Sequence, residues 1–234
     1  NISFAYKFEA ISFAYNVLGF GSAIAMRPPA TVTFTARTHS TANATAYTFS
    51  GVAISTADAS RRIAVIAGAS HSSSAAHYIS TLTVAGVSAS MQVRATQGSQ
   101  SRNEIWIADV PTGTSGDIVV TFGGGMPMCG IGVFAIYNTA GDATDTGAGT
   151  FTASLDCKKD GVVIAGIVTG SNASSSSPFS WANITERYDS TTENPSAMSG
   201  ASDAFDSAQT GLACACTAQP STADSAINVA AAFR

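Results

Sequence analysis

The sequence predicts an all-β protein: an antiparallel β-sandwich, jelly-roll-like, with an extended N-terminal arm. Three observations carry this. Short runs rich in Val, Ile, Thr and aromatic residues recur along the chain, many with two-residue alternation. Gly, Pro, Asn, Asp and Ser separate most of these runs. No segment sustains a 3.6-residue apolar period with caps at both ends. Many short strands with regular turn signals mean a sandwich or a barrel. A chain of 234 residues is long enough to bury such a core without metals or disulfides.

The strands follow in order. Residues 31–35 alternate Thr-Val-Thr-Phe-Thr, and 47–54 follow after a polar link. Residues 61–67 read Arg-Arg-Ile-Ala-Val-Ile-Ala, a central strand by its apolar run. Runs 77–84 and 88–93 flank Ala85-Gly86, a hairpin turn signal. Run 104–110 is closed by Pro111, and 117–122 precedes Gly123-Gly124-Gly125, which reads as a long hairpin loop. Runs 130–137, 149–155, 162–169, 179–189, 197–205, 212–217 and 226–233 complete the series. The organisation expected is an arm over residues 1–30 and a β-sandwich domain over residues 31–234.

The arm has its own pattern. Ile2-Ser-Phe-Ala-Tyr6 recurs as Ile11-Ser-Phe-Ala-Tyr15, with large apolar residues two apart. Ile2, Phe4, Tyr6, Phe8, Ile11, Phe13 and Tyr15 would form an exposed patch larger than a soluble monomer tolerates, so they must be buried on something. They are the candidate assembly residues, suited to adding a strand to an open sheet edge. Residues 10–26 carry no acidic or basic group until the neighbouring Glu9 and Arg27, but Ser12, Asn16, Gly19, Gly21 and Ser22 dilute them below a membrane span. Arg27-Pro28-Pro29 then breaks the strand pattern.

Only 11% of residues are charged and the net charge is −4, so hydroxyls and methyls must cover much of the surface. Such a surface associates easily. The 11 Lys and Arg are scattered, leaving no basic stripe for nucleic acid. Cys129, Cys157, Cys214 and Cys216 are too few for a disulfide scaffold and lack the paired knuckles of a zinc site. They read as buried thiols, with a bridge from Cys129 to Cys214 or Cys216 as the alternative in an oxidising compartment. His39, His71 and His77 sit beside Ser/Thr-rich turns with no strained nucleophile motif and no metal spacing. Asp142 and Asp145 form a loop without the density of a calcium site and read as a solvated turn. Asp203 and Asp206 read as surface positions near a strand end, and Glu186, Arg187 and Asp189 as an exposed strand edge. Trp106 and Trp181 fall inside strand patterns, which favours core over a sugar-stacking platform.

Residues 104–122, Glu-Ile-Trp-Ile-Ala-Asp-Val-Pro-Thr-Gly-Thr-Ser-Gly-Asp-Ile-Val-Val-Thr-Phe, resemble a strand–Pro–turn–strand hairpin of certain β-sandwich proteins. These are jelly-roll or Ig-like proteins of bacterial surfaces and of bacteriophage virions, tail- or capsid-associated. Residues 81–88, 160–166 and 226–234 resemble neighbouring pieces of the same proteins, so the resemblance covers about residues 31–234. It implies a sandwich fold and carries no functional residues.

The expectation is a non-enzymatic protein with no cofactor. The leading function is a structural protein of a virus particle, a capsid decoration or tail component. It would assemble through its arm with copies of itself or other virion subunits, with no nucleic-acid or membrane partner. The alternative is a secreted or surface-attached carbohydrate-binding module, extracellular, with a cell-surface glycan as partner.

Overall fold

The computed structural model describes residues 27–70, 77–97, 101–169, 179–190, 197–217 and 226–234. The arm residues Ile2, Phe4, Tyr6, Phe8, Ile11, Phe13 and Tyr15 lie outside them. The described chain is all strand and turn, as its sequence predicts, and its strands pair antiparallel into four sheets.

Sheet I carries β2 (Ala44–Ala53), β8 (Ser115–Met126), β4 (Ile79–Val84) and β5 (Val87–Ser88), in that order. Sheet II runs β1 (Thr31–Ser40), β9 (Cys129–Tyr137), β3 (Arg62–Ser70), β7 (Ser101–Asp109), β6 (Ser90–Gln97). Sheet III runs β10 (Asp145–Gly149), β17 (Ile227–Phe233), β12 (Gly161–Val168), β15 (Met198–Phe205), β14 (Glu186–Ser190). Sheet IV runs β11 (Thr152–Cys157), β16 (Gln209–Thr217), β13 (Ser180–Ala182).

The sheets stack in the order I to IV. Tyr47, Leu82 and Ile118 of sheet I pack on Val65, Trp106 and Val133 of sheet II. Ile66, Ile105 and Phe134 on the other face of sheet II pack on Ile164, Met198 and Phe233 of sheet III. Val163, Ala165 and Ala230 on the far face of sheet III pack on Leu155 and Cys214 of sheet IV. Strands β3 and β12 are buried along their whole length because side chains alternate between two different cores. That is the physical cause of their unbroken apolar runs.

The series of strands divides into two units of one topology. In the first, β1 lies beside β9, then β3 and β7; the facing sheet runs β2, β8, β4, β5. Apart from the paired neighbours β4–β5 and β6–β7, successive strands alternate between the facing sheets and the last returns beside the first, which is the winding of a jelly roll. In the second unit β10, β11, β12, β13, β14, β15, β16 and β17 take the places of β1, β2, β3, β4, β6, β7, β8 and β9, one for one, in the same neighbour order. Only the two-residue β5 has no counterpart. The match extends to residues: Val65-Ile-Ala-Gly68 of β3 recurs as Val163-Ile-Ala-Gly166 of β12. Ile66 pairs with Gly132 and its counterpart Ile164 with Ala231, so Phe134 and Phe233, each two residues further on, correspond.

Some local expectations are revised. The connection after Pro111 is not a hairpin, since β7 and β8 belong to different sheets. Buried Arg61 bends it, donating to the carbonyls of Val110 at 2.8 Å, Ser55 at 2.8 Å and Thr112 at 2.7 Å. Gly123-Gly124-Gly125 lies within β8 and not in a loop. A Cβ at Gly124 would fall 2.6 Å from Cδ2 of His77, so the glycine makes room for that ring. Ala85-Gly86 does turn β4 into β5, with φ of 50° and 80°, as a two-residue primed turn requires.

Candidate functional site

The root of the arm is fixed to the body. The Ala30 amide donates to the Asp160 carbonyl at 2.9 Å, and Asn138 Nδ2 donates to the Pro29 carbonyl at 3.1 Å. Arg234 Nη1 donates to the Pro28 carbonyl at 2.9 Å, while its Nη2 lies 3.8 Å from the Asp160 carboxylate. Proline has no N–H to offer, so these carbonyls are the groups through which the root can be held. Beside it lies a shallow, mainly apolar depression of about 280 Å³ lined by Pro29, Ala30, Thr31, Asp160, Ala204 and Phe205.

A second cluster closes the open side of the first jelly roll, between β6–β7 and β4. Glu104 is fully buried, yet accepts from Trp106 Nε1 at 2.9 Å and from the Ile79 amide at 3.2 Å. Arg94 pairs with it twice, Nε 3.0 Å from Oε1 and Nη2 3.1 Å from Oε2, and Nη2 also donates to the Ile79 carbonyl at 2.9 Å. These donors offset the cost of burying the carboxylate. Tyr78, 46% exposed, has the guanidinium carbons of Arg94 and Arg102 at 4.5 and 4.9 Å from its ring centre. The strand pattern places Glu104 in β7 but gives no sign that it faces a core. Its signal is only its two-residue spacing from Trp106 on the same strand face.

The other candidates separate. Among the described histidines, His39 is exposed on β1 and His77 packs beside Gly124; His71 lies outside the described residues. Asp142 accepts from Gln92 Nε2 at 3.0 Å, and Asp145 accepts from the Asp156 amide at 2.6 Å, so each ties its turn to a neighbour. Glu186, Arg187 and Asp189 lie on β14, an edge strand of sheet III, where Arg187 pairs with Asp203 at 3.2 Å. Trp106 is core; Trp181 is half-buried and donates to Ser199 Oγ at 2.8 Å. No group of three or more His, Cys, Asp or Glu is placed to hold a metal among the described residues. Among the described residues no helix is long and apolar enough to cross a membrane.

All four cysteines are free and buried. Cys129 is in the core between sheets I and II, while Cys214 and Cys216 are in those between III and IV, which explains the absence of a bridge from Cys129. Burial pushes the Cys157 thiol up to about 11 and the Cys214 thiol up to about 12, and raises Cys129 and Cys216 too. The folded chain should therefore leave an aromatic disulfide reagent unconsumed at pH 8, and all four thiols should react after denaturation. A raised thiol pKa contributes stability that is fully present below the unfolded value of about 8.5 and is lost as pH rises through the folded one. Denaturation midpoints should accordingly fall from about pH 9 upward.

No known protein family matches the chain, and comparison with curated proteins and with solved structures gave no match. Fold and surface together define the class: a tandem jelly-roll protein of four stacked sheets, with an apolar-rich segment rooted at one point on it.

Proposed function

We propose that this chain is a non-enzymatic structural subunit of a virus particle, a capsid decoration or tail component, held in its assembly by the N-terminal segment. The observation that supports this most is the jelly-roll winding, present twice in one chain, because jelly rolls recur in viral capsid proteins and lectins. A stack with three continuous cores is stiff, as a load-carrying shell component must be. The low charge of the chain favours close packing of many copies. Anchoring of the root by Arg234, Asn138 and Asp160 lets residues 1–26 engage a neighbour without disturbing the body.

The lectin reading keeps one observation of its own, the exposed Tyr78 ring held by two guanidiniums, a platform on which a sugar ring can stack. Removing residues 1–26 separates the two readings. The truncated chain should melt like the full chain but sediment as a monomer, whereas the full chain sediments as an oligomer. A full-length chain that stays monomeric at high concentration and binds glycans on an array overturns the assembly role.

A further inference from the structure

We infer that the N-terminal segment, on the assembly role proposed above, adds a strand to the outer edge of β1 on a second copy of the chain. Among the described residues β1 pairs only with β9, so its other edge carries no strand there. Its ten residues, Thr-Val-Thr-Phe-Thr-Ala-Arg-Thr-His-Ser, include no Lys, Pro, Asp or Glu, and none of them is buried. Proteins guard such edges with charge, proline or bulges, because open N–H and C=O groups template another strand. β1 has one bulge, between Phe34 and Ala36.

The other sheet edges are better guarded. β2 is interrupted twice and carries Gly51 at φ 64°. β6 is bulged after Met91, and its Gln92 is tied to Asp142 at 3.0 Å and to the Ala143 amide at 2.6 Å. β14 is bulged after Glu186 and bears Arg187 and Asp189. β5 and β13 have only two and three residues.

The second unit shows what belongs beside β1. Its counterpart there is β10. Arg37 and Thr146 pair with the equivalent residues Gly132 and Ala231, so Thr38 answers to Gly147 and Ser40 to Gly149. A Cβ at Gly147 would collide with the Ser154 carbonyl, and one at Gly149 with the Thr152 carbonyl, so β11 lies directly on β10. Threonine and serine at the equivalent places hold β2 away from β1. A groove of about 210 Å³ is left, lined by Ala36, Arg37, Thr38, Phe49, Ser50 and Val52. The first unit therefore lacks the cover that the second one has.

The N-terminal segment has the sequence to supply it. Ile2, Phe4, Tyr6 and Phe8 alternate with Ser3, Ala5 and Lys7, so an added strand presents one apolar row to the groove. The 19 residues from Glu9 to Arg27 reach at most about 65 Å, enough to span to a neighbour. The Pro28 and Pro29 carbonyls are held where β1 begins, so pairing with its own β1 requires the segment to double back over its root. Each copy carries one such edge and one such segment, so exchange between copies fills every edge of a closed assembly.

The test uses the full chain with a benzophenone-bearing phenylalanine analogue at Phe4, mixed with isotope-labelled unmodified chain and irradiated. Peptide mass spectrometry should find position 4 joined to residues 31–40 or 44–53 of the labelled chain. Cross-links confined to one chain overturn the inference. Cross-links between chains at any other strand also overturn it, while leaving the assembly role standing. A full chain that stays monomeric removes that role and this acceptor together. Should the analogue disturb folding, hydrogen exchange on the unmodified chain reads the same edge. The β1 amides turned away from β9 should lose protection when the oligomer is diluted to monomer, and unchanged exchange there overturns the inference.

Discussion

Replacing Glu104 with alanine should cost about 3 kcal/mol of folding stability, visible as a large drop in the urea midpoint. Breaking a buried ion pair typically costs about 3–5 kcal/mol, because the surviving charge is left without a partner in a dry site. The low end applies here, since the Arg94 side chain is 30% exposed and water can still reach it. Loss of Glu104 also strands Trp106 Nε1 and the Ile79 amide, each a donor without an acceptor in the core. Glu104→Gln should be nearly as harmful, because its amide nitrogen meets donors where the carboxylate met them as acceptor. The paired variant Glu104→Leu with Arg94→Met should be more stable than Glu104→Ala alone, since it removes both charges together. If Glu104→Ala unfolds at the wild-type midpoint, the carboxylate is not the plug of this sandwich edge.

Adding a single methyl at the middle of the stack should rank next. Gly166→Ala places a carbon 2.6 Å from Ile66 Cγ2 and 2.8 Å from its Cδ1, on a side chain with no exposed surface into which it could swing. Overpacking of this kind costs about 1–3 kcal/mol. Gly132 and Gly200, on facing sheets, both abut the Tyr188 ring, so a methyl on either collides with it. These three glycines are not at positive φ. They are needed for room, and alanine at them fails by collision and not by backbone strain. As a control, Gly51→Ala sits at φ 64° with open space around it, so any cost there is conformational. Thermal melts of the four variants should place Gly166→Ala, Gly132→Ala and Gly200→Ala well below Gly51→Ala. Equal melting temperatures would mean that sheets II and III can slide apart at no cost.

Much of the fold was legible because strand signals are local. Alternation in residues 31–35, the apolar runs around Val65 and Ile164, and the Ala85-Gly86 turn each act within a few residues, and each appears where the sequence places it. Where local signals blur, boundaries move. The single run 149–155 is divided between β10 and β11 by a turn at Thr150-Phe151, and the run 179–189 between β13 and β14. Residues 123–125 read as a loop because glycine usually marks one; the reason for Gly124, room for the His77 ring, is a contact across the sheet.

Sequence by itself determined that this chain is all-β, that its strands are short and numerous, and that Arg27-Pro28-Pro29 ends one pattern before another begins. These follow from backbone preference and side-chain period, which each short segment expresses alone. Only the tertiary structure decided which strands pair, that two equivalent jelly rolls share the chain, that β3 and β12 serve two cores each, and that Glu104 is an interior charge. Strand pairing and layer order join residues tens of positions apart, and a run of small apolar residues reads the same whatever sheet it finally faces.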